Sequence, residues 1–497
     1  MTLAPDTVAT SAAKCPFPHE LLAKGGTIPG MDPAFIEAML AAHAAANETV
    51  ETSVDSTLAP AAPVVPARTE GADGATLGEH PTDGISDPET LDGVPAPPAD
   101  LTLSYDPLSY SSYDNPYDIY KRLRDEAPVY YNKERDLYVV SRYADVRAGL
   151  NDDARLVNAK GNDVDGTHDS YGKGFLVAED PPRHTTLRQA IRRTFAAREI
   201  LAKEDGVREF AQTLLAEMWA KGGGDFTSEF AVPMSVAMGI SMVGAPEGDA
   251  DFIIDHLWKV MERTVGHLGV PESAVVANVG SEELIGERIE ARRLDIAAGA
   301  DTSSNDAFTQ ILLFNEKGKV DDDEIVGLAH LVLSAASDAP AALMTNCIQM
   351  LDKFPKLQPY LRANPSMIKQ FVEETLRFEA PAQDLARQTI EDVEIAGTVI
   401  PKDSRVLFLL GSANRDEREY ENPEVFDLAR EFTPKNRIMS FGEGIHACMG
   451  APFARLAAKV MIEELLNGPG LRIEGTPERW IKQMIRGFSR LPIKFDA

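Results

Sequence analysis

The chain has 497 residues, 44% of them apolar, enough for one large domain with a substantial core. Its 49 basic and 78 acidic side chains leave a net charge of −29, which argues against nucleic acid as a general partner, since phosphate binding needs clustered positive charge. Three widely spaced cysteines, no apolar run of the roughly 18 residues that a membrane span needs, and no signal-like N-terminus point to a reduced, cytoplasmic protein without a membrane anchor.

Residues 1–99 differ from the rest. The first hundred residues carry 3 basic and 15 acidic side chains and are rich in Ala, Pro, Thr and Gly. Such a segment cannot bury enough apolar surface to offset its ordering entropy, so an acidic, mostly disordered extension is expected. Within it, Asp32 reads as an N-cap and Pro33 as the first helical position, with Phe35, Ile36, Met39 and Leu40 as an apolar stripe. One short helix is therefore expected over Pro33–Ala46. Cys15, followed by Pro16 and with His19 four residues on, reads as an unliganded thiol.

A globular domain is expected over residues 100–497. Asp114–Ala127 reads as a helix, Val129–Tyr131 and Leu137–Ser141 as strands about a turn at Lys133-Glu134, and another helix starts near Ala144. Leu156–Gly174 is a polar, Gly-rich loop, and long loops in compact domains are often functional. In the string from Asp180 to Arg188, Pro181 and Pro182 open a helix with His184 and Arg188 at i, i+4 on one face, suited to a pair of carboxylates. Residues 200–320 read as amphipathic helices without legible chemistry. A long helix runs from Asp321 to about Leu351, its early acids matching the helix dipole. Asp338, isolated in an apolar stretch, reads as a buried functional acid. Pro340 lacks an N–H, frees the carbonyl of Ala336 and predicts a bend. Cys347 reads as packed and inert. Phe371–Arg377 reads as a helix that pairs Glu374 with Arg377 at i, i+3. Short strands follow at Ala386–Thr389, Val393–Ala396, Thr398–Ile400 and Val406–Leu410, and a β-turn region closes the chain from Arg486.

The strongest signal is Phe441-Gly-Glu-Gly-Ile-His446-Ala-Cys448-Met-Gly450. Its glycines let the backbone bend with φ > 0 and pass close to something flat. Ala451–Leu466 reads as a helix, so Cys448 lies just ahead of a helix N-terminus, where unpaired N–H groups and the dipole favour a thiolate. A thiolate cupped by backbone donors suits a haem iron as proximal ligand, because it pushes electron density toward O–O cleavage. A merely structural cysteine would not need Phe441, Gly442, Gly444, His446 and Gly450 at these offsets.

This segment resembles the haem-binding loop of the cytochrome P450 family, matching Phe-Gly-x-Gly-x-His-x-Cys-x-Gly at every fixed position. The resemblance runs from about Tyr105 to Phe495 with the family's motifs in order. It implies a mainly α fold with a small β region, a triangular prism around one b-type haem (heme b) whose iron takes Cys448 as axial ligand. It also implies that Phe441, His446 and Gly450 shape the haem loop. His184, Arg188 and Arg387 would hold the haem propionates, and Glu374, Arg377 and Arg430 would brace the loop. On the distal side the family carries an acid followed by a threonine; here the pair is Asp338 and Ala339. Asp338 would relay protons, and a water on the freed carbonyl of Ala336 would stand in for the missing hydroxyl.

The activity implied is insertion of one oxygen atom from O2 into a C–H bond, or oxidative dealkylation. Electrons would come from a separate ferredoxin and ferredoxin reductase, since the sequence shows no flavin or iron–sulfur module. Arg188, Arg192, Arg193, Lys435, Arg437 and Lys459 would form a basic dock on an acidic protein. The strings Phe378-Glu-Ala-Pro-Ala-Gln383, Leu410-Gly-Ser-Ala-Asn-Arg415 and Leu491-Pro-Ile look similar to bacterial members that oxidise aryl acids. A small aromatic or apolar organic substrate is expected, with Lys160, Gln383 and Asp384 as candidate contacts. Two other readings stand beside this one. Ala339 allows a peroxide-driven peroxygenase or a rearrangement catalyst. Cys15-Pro16 resembles short haem-sensing motifs and allows a non-enzymatic haem sensor.

Overall fold

The computed structural model describes residues 103–164, 173–482 and 484–496. The expected extension over residues 1–99, its helix Pro33–Ala46 and Cys15 lie outside them.

Two short helices open the described chain, α1 (Tyr110–Asp114) and α2 (Tyr117–Glu126). The single helix expected over Asp114–Ala127 is thus split. Ser109 caps α1 by accepting from the N–H of Ser112, while Pro116, with no N–H to continue that helix, begins α2. Next come β1 (Val129–Asn132), β2 (Leu137–Val140), α3 (Tyr143–Leu150) and β3 (Leu156–Val157). A helical stretch follows: α4 (Arg183–Ile191), α5 (Ala197–Leu201), α6 (Glu204–Lys221), then strand β4 (Gly223–Asp225), α7 (Val232–Val243), α8 (Ala250–Val260), α9 (Glu272–Ala297), α10 (Ala307–Asn315), α11 (Asp322–Lys353), α12 (Leu357–Ala363) and α13 (Ile368–Phe378). The chain then runs through β5 (Asp384–Thr389), β6 (Val393–Ile395), β7 (Thr398–Ile400), β8 (Arg405–Leu409), α14 (Leu410–Ala413) and α15 (Ala451–Leu466). It ends with β9 (Leu471–Ile473), β10 (Glu478–Arg479), β11 (Phe488–Arg490) and β12 (Pro492–Phe495).

The main sheet has five strands in the order β1-β2-β8-β5-β3. Only β2 and β8 run parallel, with Val139 opposite Leu407; β5 and β8 are antiparallel, with Arg387 opposite Val406. This register turns Ala386 and Leu407 into the core and sets Arg387 at the edge of the helical body. A three-stranded sheet, β4-β12-β9, ties the C-terminus to the segment between α6 and α7.

Helix α11 is the axis of the fold. Its 32 residues start at a capping box: the carboxylate of Asp321 accepts from the helix's third N–H, and Glu324 accepts from the N–H of Asp321 at 2.7 Å. The helix continues through Pro340. Its sequence reaches a mean hydropathy of 1.4 over 18 residues, apolar enough to cross a membrane by composition, contrary to the expectation that no run qualifies. Most of that window is buried in the protein core, and a core helix needs the same composition. One apolar cluster joins α11 to α6, α13 and α15 through residues such as Leu343, Leu215, Phe371 and Val460; a second joins it to α4, α7, α8, α9 and α10. Cys347 is fully buried in the first, and burial pushes its thiol up to about 12, which fits an inert packing residue.

Candidate active site

The loop before α15 is built around Cys448. Its N–H donates to the carbonyl of Phe441 at 2.9 Å, closing the two ends of the motif on each other. Gly444 adopts φ +73°, and a Cβ there would stand 2.5 Å from the carbonyl oxygen of Leu150. That backbone cannot yield, so glycine is required. Phe441 lies under the guanidinium of Arg455 at 4.5 Å, and Arg455 is held by both carboxylate oxygens of Glu373. A Cβ at Gly450 would lie 3.7 Å from the sulfur of Cys448.

Glu374 and Arg377 on α13 brace this loop, as expected. Arg377 donates to both oxygens of Glu374, Arg430 donates to one of them at 3.3 Å, and the N–H of Asp427 donates to the same oxygen. Arg377 also donates to the carbonyl of Asn414. Asn414 in turn donates to Ser440 at 2.8 Å and accepts from the N–H of Met439 at 2.7 Å, and the Ser440 hydroxyl donates to the carbonyl of Leu376. Helix α13 and the loop are thus one hydrogen-bonded unit.

Cys448 is exposed, yet it stands deep in the molecule. Its surface opens on an internal cleft. Across from it, the middle of α11 shows the same signature: Ala335 is exposed and Leu331, Ser334 and Ala339 are half-buried. These residues share one face at helical spacing. Burial pushes the Cys448 thiol up from its usual value, against the opposing pull of the Gly450 and Ala451 N–H groups, Arg188 and Arg455. The two backbone N–H groups at the helix start thus pull toward the thiolate expected from the sequence, and desolvation opposes them.

Four cationic or polarisable groups meet beside this cleft. His184 and His446 pack ring to ring at 4.2 Å between centroids. Neither nitrogen of His184 has a partner, and Nε2 of His446 has none. Arg188 donates to the carbonyl of Ala447 at 2.7 Å. Arg387, buried, donates to the carbonyl of Ala386. Burial, then Arg387, His184 and Arg188, hold His446 down to about 2; burial lowers Arg387 to about 10. A buried cluster of this kind with unpaired nitrogens is built for anionic oxygens. These residues fit a haem: Cys448 would ligate its iron, and His184, Arg188 and Arg387 would hold its two carboxylates.

On the distal wall Asp338 is buried and both its oxygens accept from Lys482 at 3.0 Å. The Lys482 ammonium lies 3.9 Å from the ring centre of Trp258 and 4.9 Å from that of Trp480. Burial pushes Asp338 up and Lys482 down, and each partner's charge opposes that push. Lys482 was missed from the sequence; the available signal was a lone cation in the apolar string Trp480-Ile-Lys482. Ala339 faces the cleft half-buried, with Pro340 behind it in the core.

Gln383 and Asp384 are both buried at the head of β5, beside a small cavity with Tyr105, Tyr120, Lys482 and Arg486. Lys160 stands apart: it is exposed, and its carbonyl accepts from Arg405. Its ammonium keeps its water, unlike the buried side chains of Gln383 and Asp384. The expected basic dock is also thinned. Lys459 is paired with Glu204 and Glu463, Arg437 with Glu443, and Arg188 points inward. Arg192, Arg193 and Lys435 remain exposed.

Residues 275–479 match the family model described as cytochrome P450. Cytochrome P450 123 of Mycobacterium tuberculosis (strain ATCC 25618 / H37Rv) is 32% identical over 409 residues, covering 80% of this chain and 98% of that protein. Cytochrome P450 CYP199A2 of Rhodopseudomonas palustris is 28% identical, covering 79% of this chain and 94% of its own. Among solved structures, cytochrome P450 CREJ in complex with (4-ethylphenyl) dihydrogen phosphate superposes with a TM-score of 0.71 at 26% identity, over 79% of this chain and all of that one. The thiol loop, its ionic brace, the unpaired histidines and these relatives agree: the chain belongs to the cytochrome P450 family and is a haem-thiolate P450 monooxygenase carrying heme b.

Proposed function

We propose that the protein uses O2 to hydroxylate or oxidatively dealkylate a small aromatic substrate, with electrons from a separate ferredoxin and ferredoxin reductase, in the cytoplasm. The P450 domain would span residues 100–497, preceded by the acidic extension. The observation that carries this reading is that the distal acid, Asp338, is kept and is anchored by a buried cation, although its neighbour is Ala339.

When bound, the haem supplies O2 activation at a thiolate-ligated iron. The chain's own residues do the rest. Cys448 provides the sulfur, with the N–H groups of Gly450 and Ala451 directed at it. His184, Arg188 and Arg387 would neutralise the propionates, with His446 completing the wall. Phe441 and Arg455 close the loop side, and the small face of α11 leaves room for O2 and substrate. Asp338 holds a proton acceptor at the distal wall. The carbonyl of Ala336, whose helical donor would be the N–H that Pro340 lacks, offers an acceptor for a water.

An aromatic substrate is supported by likeness to CYP199A2 and to CREJ, the latter complexed with a phosphorylated ethylphenyl compound. Of the proposed contacts, Gln383 and Asp384 are buried at the head of β5 and Lys160 is exposed. Ala339 also favours a second reading, in which peroxide replaces O2 and the reductase.

The test is turnover. Product formed with NADH, ferredoxin and ferredoxin reductase, from a holoprotein with the red-shifted absorption of the reduced carbon monoxide complex, supports the first reading. Turnover with hydrogen peroxide alone supports the second. No turnover under either regime, across a panel of aryl acids and neutral aromatics, removes both.

A further inference from the structure

We propose that the open cleft between α6 and α7 is the seat of the chain's own N-terminal segment, Pro33–Ala46, which docks there as an amphipathic helix. The inference is independent of the reaction at Cys448.

The cleft has a volume of about 790 Å³. Protein interiors are packed almost without voids, so an apolar space of that size between two helices is room for another element. Its origin is in the sequence. Gly206 on α6, Ala237 on α7, and Gly244 and Ala245 just beyond α7 line the gap where longer side chains would close it. Phe210 and Met238 give it apolar walls. Lys203 fixes the spacing of the two helices at one end, donating to the carbonyl of Ser241 at 2.9 Å and to its hydroxyl at 2.7 Å. Leu201, next to the lining residue Ala202, is 62% exposed and extends the apolar surface outward. The floor includes Phe453 of α15, so whatever fills the cleft touches the helix that follows the thiol loop.

The occupant follows from what the chain carries before Leu103. Phe35, Ile36, Met39 and Leu40, spaced i, i+1, i+4 and i+5, fall within one arc of about 140° on a helix. Such a face has to be covered, and a helix laid in a groove is covered through anchors at this spacing. Reach is sufficient. Residues 47–102 connect the segment to the described domain. As a coil they span about 40 Å, close to twice the radius of gyration of about 21 Å expected for a domain of this size. Tethering gives the segment an effective concentration of up to about millimolar at the cleft, so it outcompetes partners of similar affinity that are more dilute.

Amide hydrogen exchange on the whole chain, loaded with haem, tests this through three variants. Ile36→Asp with Met39→Asp removes the apolar face of the segment. Gly206→Trp fills the cleft; a Cβ at Gly206 meets nothing within 4 Å, so the fold has room for the indole. Gly206→Ala adds one methyl group and serves as the control. In the wild type and in Gly206→Ala, residues 33–46 are expected to exchange about tenfold or more slowly than a free peptide of that sequence. Gly206→Trp and the double variant lose that protection. In the double variant, peptides covering residues 202–213 and 237–245 also exchange faster than in the wild type. Absorption of the reduced carbon monoxide complex, retained in every variant, checks that each has folded. Should Gly206→Trp fail that check, the double variant alone decides. Exchange of residues 33–46 at the free-peptide rate in the wild type overturns the proposal. Protection that survives Gly206→Trp overturns it by placing the segment elsewhere. Cleft walls whose exchange ignores the double substitution overturn it by giving the cleft to another occupant. Protection that grows with protein concentration assigns the segment to a second copy and overturns docking within one chain.

Discussion

Replacing Asp338 by Asn leaves Lys482 as a cation 2% exposed with no counter-charge within bonding reach. At 3.0 Å and an effective dielectric of about 20, the lost attraction is about 5 kcal/mol. The desolvation already borne by both groups offsets part of it, so either single change, Asp338→Asn or Lys482→Met, is expected to destabilise by about 3–5 kcal/mol. The double variant removes both charges together. Its loss should fall short of the sum of the singles by about 3 kcal/mol. The assay is guanidinium unfolding of the holoprotein followed by tryptophan fluorescence, since Trp258 and Trp480 flank the ammonium. A coupling below about 0.5 kcal/mol would refute the reasoning, because that is the scatter of independent sites.

Three further outcomes are expected. Glu374→Ala leaves Arg377 and Arg430 without the carboxylate they share, so the loop should lose its brace and the purified protein most of its Soret absorbance per chain. Gly444→Ala adds about 1–2 kcal/mol of left-handed backbone strain and a contact with the Leu150 carbonyl, lowering haem content; full haem occupancy would contradict the loop geometry. Asp384 titrates higher in the folded chain, about 7, than its ordinary 3.8, so the native state holds a proton that the unfolded chain has released. Its contribution is present near pH 4 and lost as pH rises toward 7, at up to about 1.4 kcal/mol per pH unit. Unfolding midpoints from pH 5 to 7 should show this slope weakened in Asp384→Asn. As for partner docking, Arg192→Glu with Arg193→Glu should slow reduction by ferredoxin about tenfold at low salt and much less at high salt.

What could be read from the sequence was local. The Cys448 loop sets its own geometry through glycines, and the helix behind it appears over the expected Ala451–Leu466. His184 and Arg188 share a face because i, i+4 spacing fixes it. Where spacing was not enough, distant residues decided. Asp338 looked like a solitary acid, but its partner lies 144 positions away. Lys459 and Arg437 looked like a free basic face; neighbouring acids on α6, α15 and the loop neutralise them. Lys160 had the right place along the chain for a substrate contact, but its side chain is exposed. At the Cys448 sulfur desolvation opposes the helix-terminus N–H groups, and that balance emerges only from packing.

The buried Cys347 gives the protein an internal gauge of its own state. With Cys15 changed to serine, two thiols remain. Unfolded chains should alkylate at both. Folded chains without cofactor should react at Cys448 alone, since Cys347 is sealed in the interior and hard to deprotonate. Loaded protein should react at neither, its second sulfur being engaged by iron. Counting labels per molecule by intact mass would therefore sort any preparation, or any variant discussed above, into those three populations in one measurement.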